Sequence, residues 1–338
     1  MPRIVIILAL FVSMSISACT SADEAPPQVG ASSVSDQPIA LDWKLADGET
    51  IAYLTAMKSI ESPTIDFNFD EILEEDTDTP GASILDGLEQ FAQLYYGTPQ
   101  EYNFISTLHL NERGNITVLM IMDSLTSVEE QPEMTFEPPS QDIGAEEWEQ
   151  QLRDAVQRMQ QDMQGTVQLR GEIAPAGEVT SFYLPDRQKN LLAIFFELPS
   201  QPVRIGETWE LDFQCVEIGA GFIFTQSDRI NQVTFSEVTT LPDGRQVAVL
   251  DYLMLESVSG YTDSHLLSSI DGATAEPKAI ATRCSFVGQG QFLINEGRWH
   301  QLVGEMSISS VGILDSSQTQ RFAITPLDEV PPQYIGLE

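Results

Sequence analysis

The chain has 338 residues, 42% of them hydrophobic, which is enough for the core of one large domain or two ordinary ones. It carries 51 acidic and 16 basic residues, a formal net charge of −35. A surface this anionic repels nucleic-acid phosphates and anionic lipid head groups, so the composition argues against direct binding to either. Because the acidic residues are spread along the whole chain, we interpret them as a solvated surface in preference to a set of cation sites.

The N-terminal residues have the pattern of a bacterial lipoprotein signal. Arg3 gives a short positive region, Ile4–Val12 is an unbroken apolar run, and Ile16-Ser17-Ala18-Cys19 reads as a lipobox. The apolar run is too short to cross a bilayer core of roughly 30 Å, so it predicts a signal peptide of residues 1–18. The thiol of Cys19 is then the predicted site of lipid attachment. The alternative is an ordinary secretory signal beside an incidental cysteine.

Residues 19–39 are predicted to form a flexible tether. The segment Thr20–Pro38 is rich in Ser, Ala, Pro and Gly and has few bulky apolar residues, so it cannot bury enough surface to offset its ordering entropy. Thr20, and not an aspartate, follows the predicted lipidated cysteine. This resembles the sorting signal by which Gram-negative bacteria send lipoproteins to the outer membrane, and it implies that localisation.

Beyond the tether, apolar and polar residues alternate in the manner of β-strands. The clearest alternating segments are Ile51–Met57, Asn103–Leu110, Ile116–Met122, Trp209–Val216 and Val247–Leu255. Turn sequences containing Gly with Asp or Asn lie between such segments, at residues 46–48, 111–115, 242–244 and 295–297. The pattern predicts a mainly β, antiparallel protein.

Two amphipathic helices are predicted within this β-pattern. In Glu146–Met163, a single helical face carries Trp148, Leu152, Val156, Met159 and Met163, and Gly165 follows as a natural stop. Its polar face is acidic, which disfavours a membrane-surface helix, so we expect it to pack on the sheet. The second helix is predicted over Ala82–Tyr96, ending at Gly97.

Three short resemblances, in the same order in both halves, predict a duplicated β-unit. Leu45–Ile51 matches Val203–Trp209 in placing Gly-Glu-Thr before a strand, Leu110–Val118 matches Leu241–Val249, and Gly171–Val179 matches Gly290–Trp299. We predict a first unit over 40–198, enlarged by acidic and helical insertions, a second over 199–326, and a C-terminal tail over 327–338. Two such units would form an antiparallel sheet or a partly closed barrel. Chance likeness among hairpins is the alternative.

The remaining cysteines, Cys215 and Cys284, are candidates for a disulfide in an exported protein. Cys215 alternates in phase with Leu211 and Phe213, and Cys284 is in phase with Phe286. Both would therefore point to a core face. That position suits a bridge and equally suits two buried free thiols.

No catalytic or metal-binding pattern is recognisable in the sequence. Motifs such as Gly-x-Ser-x-Gly, His-Glu-x-x-His and a P-loop are absent. His109, His265 and His300 lie in separate segments without paired spacing. The densest acidic stretch, Asp66–Asp78, lacks the glycine-centred spacing of a calcium loop and is interpreted as a surface loop. We predict no catalytic residue, no cofactor and no metal ligand.

One family resemblance can be stated on particular residues. The segment Pro199–Trp209, with Pro-Val followed by Gly-Glu-Thr-Trp, resembles the start of a strand in a family of uncharacterised bacterial lipoproteins. Gly288–Trp299 is similar to that family's Gly-x-Gly strand and acidic-Gly turn, although Asn295 stands where Asp is more typical. The resemblance covers about residues 185–315 and implies an envelope-anchored, β-rich protein without an assigned activity.

These observations predict a non-enzymatic, lipid-anchored envelope protein at the outer membrane. Its body would bind an envelope protein, a glycan or an apolar ligand, or serve as a structural module. One alternative is a carrier-like module that holds an acyl chain under the helix of residues 146–163, which requires an apolar cavity. The other is a carboxylate-dependent hydrolase of envelope glycans, which requires a cleft with two facing carboxylates.

Overall fold

A computed structural model describes residues 37–68, 87, 90–95, 97–127, 144–183, 189–213, 222–262, 277–312 and 314–334. The protein is mainly β, as predicted. The strands are β1 (Thr50–Ser59), β2 (Thr64–Phe67), β3 (Gln100–Leu110), β4 (Ile116–Ser127), β5 (Val167–Ile173), β6 (Val179–Tyr183), β7 (Thr208–Trp209), β8 (Phe222–Thr240), β9 (Gln246–Thr262), β10 (Ala279–Leu293), β11 (Arg298–Gly312) and β12 (Leu314–Leu327). The helices are α1 (Ala145–Met163), α2 (Lys189–Phe196), a helical segment at residues 90–95, and a 3₁₀ turn at Pro332–Tyr334.

The strands form a single antiparallel sheet in the order β6-β5-β4-β3-β1-β12-β11-β10-β9-β8-β7, with β2 added beside β12. It consists of two meanders, one of β1, β3, β4, β5 and β6 and one from β7 to β12, which meet where β1 pairs with β12. The sheet is open, with β6 and β7 at its two ends. Of the two predicted arrangements, the open antiparallel sheet is the one observed.

The first of the three internal resemblances is also a resemblance of structure. In the turn before β1, Glu49 N donates to Ala46 O and Ala46 N donates to the Glu49 carboxylate. In the turn before β7, Glu207 and Arg204 make the same pair of hydrogen bonds. The glycines before the two glutamates, Gly48 and Gly206, both have positive φ, which favours glycine. The same local sequence therefore builds the same turn in both meanders.

Of the other two sequence resemblances, one is matched by the structure of its turns and the other is not. In the β3–β4 turn Asn111 N donates to Asn115 O, and in the β8–β9 turn Leu241 N donates to Arg245 O, each closing a loop of the same length. The β5–β6 turn closes in this way too, through Ala174 and Glu178. Its predicted counterpart between β10 and β11 differs, because there Gly297 N donates to Leu293 O. The duplication itself stays a prediction, supported by two of its three resemblances.

The main core lies between the sheet and α2, and we call the sheet face toward α2 the inner face. Residues 192–196 of α2 are all fully buried, so this short helix is surrounded by apolar side chains. Phe195 contacts Phe322 of β12 with ring centroids 5.2 Å apart. No local sequence pattern predicts α2. Its run Leu-Leu-Ala-Ile-Phe-Phe is apolar at every position and so has neither helical nor strand periodicity.

Both predicted amphipathic helices are present, but they pack differently from the prediction. Helix α1 lies over Ala145–Met163, and its apolar residues Leu152 and Val156 are buried against Leu94 and Tyr95 of the 90–95 helix. The expected packing of this face on the sheet is thus wrong over most of its length, because the second inserted helix supplies the apolar partner. For the predicted helix 82–96, residues 82–86, 88, 89 and 96 lie outside the described residues.

The predicted strand over Trp209–Val216 is wrong at residues 210–213. Only Thr208–Trp209 pairs with β8, and residues 210–213 follow without strand pairing, while residues 214–216 lie outside the described part of the chain. Asn231 of β8 explains the difference. Its side-chain amide accepts from Leu211 N and donates to Leu211 O and Phe213 O, at 3.2, 2.7 and 3.4 Å. The Asn231 side chain thus holds residues 211–213 beside β8, where a strand would have used backbone hydrogen bonds.

The C-terminal tail packs on the opposite, outer face of the sheet. Val330 and Tyr334 contact a small apolar cluster that contains Ile105, Leu119 and Ile121 of β3 and β4. The Tyr334 hydroxyl donates to Asp123 Oδ1 at 2.6 Å. Burial, and then the Asp123 carboxylate, raise the pKa of Tyr334 to about 12. As far as residue 334, the predicted tail is part of the fold.

Candidate functional site

The predicted lipid-attachment residue Cys19 lies outside the described residues, as do the signal peptide and most of the tether. Its modification therefore stays a prediction from the sequence. Among the helices that the structure describes, none is long and apolar enough to cross a membrane.

Cys284 is located in the core, as its alternation predicts. It lies on the inner face of β10, between Glu256 of β9 and Ile308 of β11, and its side chain is buried. The structure shows Cys284 in a disulfide. The bonded partner lies outside the described residues, as Cys215 does, so the Cys215–Cys284 pairing stays a prediction.

The histidines are not brought together. His109 lies on the outer face of β3, in an open cleft of about 520 Å³ that Arg113, Arg170 and Glu172 also line. Arg113 is already in an ion pair with Glu172. His300 is half-buried on β11, and His265 lies outside the described residues. Charged, polar and apolar side chains share its lining beside the β3–β4 turn, so we interpret the cleft as a surface hollow at a hairpin end.

The carboxylates of the described residues form no metal centre. In this part of the chain no three His, Cys, Asp or Glu side chains lie close enough together to hold a metal ion. Asp66 is exposed on β2. The rest of the acidic stretch from residue 69 to 78 lies outside the described residues, so the structure does not bear on it.

Two tyrosines are buried on the inner face and could be mistaken for catalytic groups. The Tyr53 hydroxyl accepts a hydrogen bond from Trp299 N at 3.1 Å, and burial raises the pKa of Tyr53. Burial also raises the pKa of Tyr252, and the nearby Glu197 carboxylate raises it further. Both hydroxyls therefore stay protonated at neutral pH. They are neutral structural groups and cannot act as bases there.

The most distinctive surface feature is an exposed apolar cluster on the outer face of β8, β9 and β10. We call it the outer patch, and it consists of Ile230, Leu253, Leu255 and Val287. These side chains are 46%, 39%, 38% and 53% exposed, respectively. Ile230 is directly opposite Leu255, and Leu253 is directly opposite Val287, so the four residues form a continuous cluster. The contiguity of these exposed apolar residues makes the outer patch a candidate interaction surface.

The outer patch is not among the sites predicted from the sequence, although the sequence contains a signal for it. In Val247–Leu255 the apolar residues occupy both faces of the strand, since Leu250, Tyr252 and Met254 point inward while Leu253 and Leu255 point outward. A strand that is apolar on both faces needs a partner on both. Recognising a patch also requires the register of β8 and β10, which alternation alone does not give.

Comparison with known proteins adds no assignment. A scan against the sequence profiles of known protein families finds no match. A search of curated proteins finds no similar sequence at a significant level. The resemblance to uncharacterised lipoproteins in Pro199–Trp209 therefore stays a prediction.

Proposed function

We propose that the protein is a non-enzymatic binding module that is held at the bacterial outer membrane by a lipid on Cys19. The observation that carries the proposal is the lipobox Ile16-Ser17-Ala18-Cys19 at the end of a short apolar run. Removal of residues 1–18, which contain Arg3 and no acidic residue, makes the mature chain one charge more negative. A chain with this charge gains nothing from anionic lipid head groups, so the lipid is its means of attachment.

The described residues favour a ligand bound at the protein surface over one bound in its interior. The inner face, where a curved carrier would hold a lipid, is occupied by the buried residues of α2. The apolar face of α1, under which an acyl chain was one predicted alternative, packs against the 90–95 helix. The outer patch, in contrast, leaves apolar side chains exposed. We therefore favour an envelope macromolecule over an acyl chain as the ligand.

Replacing Cys19 tests the anchor. We expect Cys19→Ser to release the protein from the membrane fraction and to abolish incorporation of an alkynyl fatty acid, because serine offers no thiol for the diacylglyceryl group. Cys284→Ser is the matched control, since it also removes one cysteine, and it should leave labelling unchanged. Membrane partitioning and labelling of Cys19→Ser at the wild-type level would contradict the proposal.

A further inference from the structure

The open cleft of about 520 Å³ on the outer face of β3, β4 and β5 brings together polar side chains from three neighbouring strands. We call it the hairpin cleft and define it by His109, Thr117, Arg170 and Glu172. In the sheet, His109 is directly opposite Thr117, and Thr117 is directly opposite Glu172. Arg170 is two residues before Glu172 on β5 and therefore projects from the same face. The volume lies in the range of roughly 300–1,000 Å³ that small-molecule sites occupy.

The β3–β4 turn holds the Glu172 carboxylate at this cleft. Glu172 Oε1 accepts from the Arg113 guanidinium in an ion pair, and Asn115 Nδ2 lies 3.4 Å from Glu172 Oε2. The Glu172 side chain is 16% exposed and the Arg113 side chain 72% exposed, so the carboxylate is the more enclosed member of the pair. Since a carboxylate offers about four lone-pair positions, Glu172 can still accept hydrogen bonds from the hydroxyl groups of a ligand.

Other lining residues supply a hydrogen-bond donor and an apolar surface. Asn111 Nδ2 donates to Thr117 Oγ1 at 3.4 Å, so the Thr117 hydroxyl accepts within the protein and keeps its own proton to donate. Leu119, which also lines the cleft, is apolar and buried. Acceptors and donors around an apolar surface complement a sugar ring, because its hydroxyl groups both donate and accept and its C–H groups are apolar.

Arg170 adds a positive charge to this lining. Arg113 and Glu172 compensate each other, whereas Arg170 belongs to no ion pair among the described residues. The Arg170 side chain is exposed at the cleft, and its guanidinium has the fork geometry that binds a carboxylate or a phosphate through two hydrogen bonds. The cleft therefore favours a sugar that carries an anionic group.

The surroundings of Arg170 limit the charge of that anionic group. The whole chain has a net charge of −35, but charges more than about 8 Å away are largely screened at physiological ionic strength, so the groups of the cleft dominate. Glu112 and Glu172 both line the cleft and repel a second negative charge on the ligand. A single carboxylate is therefore favoured over a phosphate monoester, which carries about 1.5–2 negative charges at neutral pH.

We propose that the hairpin cleft binds a saccharide with one carboxylate, such as a uronic acid or a lactyl-substituted amino sugar of an envelope glycan. Arg170 binds the carboxylate, while Thr117 and Glu172 bind hydroxyl groups of the ring. Because the cleft is open, the bound sugar can be one unit of a longer glycan. This site goes beyond the proposed function, since the outer patch lies on other strands, β8 to β10. It does not depend on the lipid, so the two can fail separately.

Matched pairs of sugars test the ligand class. The probes are methyl glucuronide with methyl glucoside, and N-acetylmuramic acid with N-acetylglucosamine. They are titrated at fixed pH into the full mature chain in neutral detergent, and imidazole signals are followed by NMR. The chain has only three histidines, and His109→Gln assigns the signal of His109. At least one acid should shift that signal saturably, with a dissociation constant at least about tenfold lower than that of its neutral partner.

Paired variants locate the site. Arg170→Gln should raise the dissociation constant of the acid about tenfold and leave that of the neutral sugar unchanged, because only the charge contact is lost. Arg283→Gln, which replaces an exposed arginine on β10, is the matched control and should bind the acid normally. Thr117→Val should weaken binding of both members of a pair. Circular dichroism checks that the variants stay folded, and the comparison of matched sugars on the wild-type chain is independent of any variant.

Several outcomes would overturn the inference. If neither acid binds more tightly than its neutral partner, the cleft is not a site for acidic sugars. A glucose phosphate that binds as tightly as the acids would contradict the single carboxylate. An acetylated dipeptide with a free carboxylate that binds equally well would contradict the saccharide, and an equal loss in Arg283→Gln would exclude this cleft. Fatty-acid labelling of Cys19 would be unaffected by any of these results.

Discussion

At the scale of single residues, two tryptophans hold the buried helix α2. The last carbonyls of a helix have no partner within it, and in an apolar core they must find one elsewhere. Trp43 Nε1 donates to Phe196 O at 2.8 Å, and Trp299 Nε1 donates to Phe195 O at 2.6 Å. The two indoles also meet edge to face, with ring centroids 6.3 Å apart. They fix the end of α2 against the sheet and the segment before β1.

Replacing either tryptophan by phenylalanine should destabilise the protein. Trp299→Phe keeps an aromatic ring but leaves Phe195 O without its donor, which costs about 1–3 kcal/mol in the free energy of unfolding. The measurement is urea unfolding followed by circular dichroism. Trp209→Phe is the matched control, because Trp209 Nε1 has no hydrogen-bond partner among the described residues. Equal losses in the two variants would contradict the role of the indole N–H.

At the scale of elements, the Gly-Glu-Thr turns depend on an ionised glutamate. Backbone hydrogen bonding from Ala46 lowers the pKa of Glu49, and backbone hydrogen bonding from Arg204 lowers the pKa of Glu207. Arg298 of β11 adds a further interaction to Glu49, with Nη2 and Oε1 2.9 Å apart. A lowered pKa means that folding favours the carboxylate, so the stabilisation is present at neutral pH and is lost as the pH falls through the lowered pKa of the folded state.

Glu49→Gln should reduce stability at neutral pH and flatten its dependence on pH. The amide oxygen of the glutamine can still accept a hydrogen bond from Ala46 N, but it carries no charge to attract Arg298. We therefore expect the free energy of unfolding to fall by about 1 kcal/mol at pH 7, and by less as the pH approaches 3. Urea unfolding at a series of pH values measures it. Glu207→Gln should have a smaller effect, since the ion pair of Glu207 is with the neighbouring Arg204 and both side chains are more exposed than Glu49 and Arg298. A Glu49→Gln difference from wild type that is constant across pH would contradict this account.

At the scale of the whole molecule, two meanders share one sheet and one core. The pairing of β1 with β12 joins residues such as Thr55 and Ile324, which are far apart in sequence. Segment 39–45 also crosses between the meanders, since Ile39 and Val203 exchange backbone hydrogen bonds. The described chain therefore enters the β-body at Ile39, beside Val203, which precedes β7 at one end of the sheet.

Much of this architecture could be predicted from local sequence, and part of it could not. The turns were predictable because glycines such as Gly114 and Gly244 take positive φ beside Asn or Asp. The apolar face of α1 follows from its helical spacing. In contrast, α2 has no periodicity to detect, and the β1–β12 pairing leaves no local signature. For the candidate sites, the lipobox is a local motif, whereas the outer patch depends on the register of three strands.

The mass of the mature N-terminus tests the central claim most directly. The protein is expressed in a Gram-negative host, extracted from the outer membrane, and its N-terminal peptide is analysed by mass spectrometry. We expect the peptide to begin at Cys19 and to carry a thioether-linked diacylglyceryl group. An N-terminus at another residue, or an unmodified Cys19 thiol, would contradict the account of a lipid-anchored envelope module.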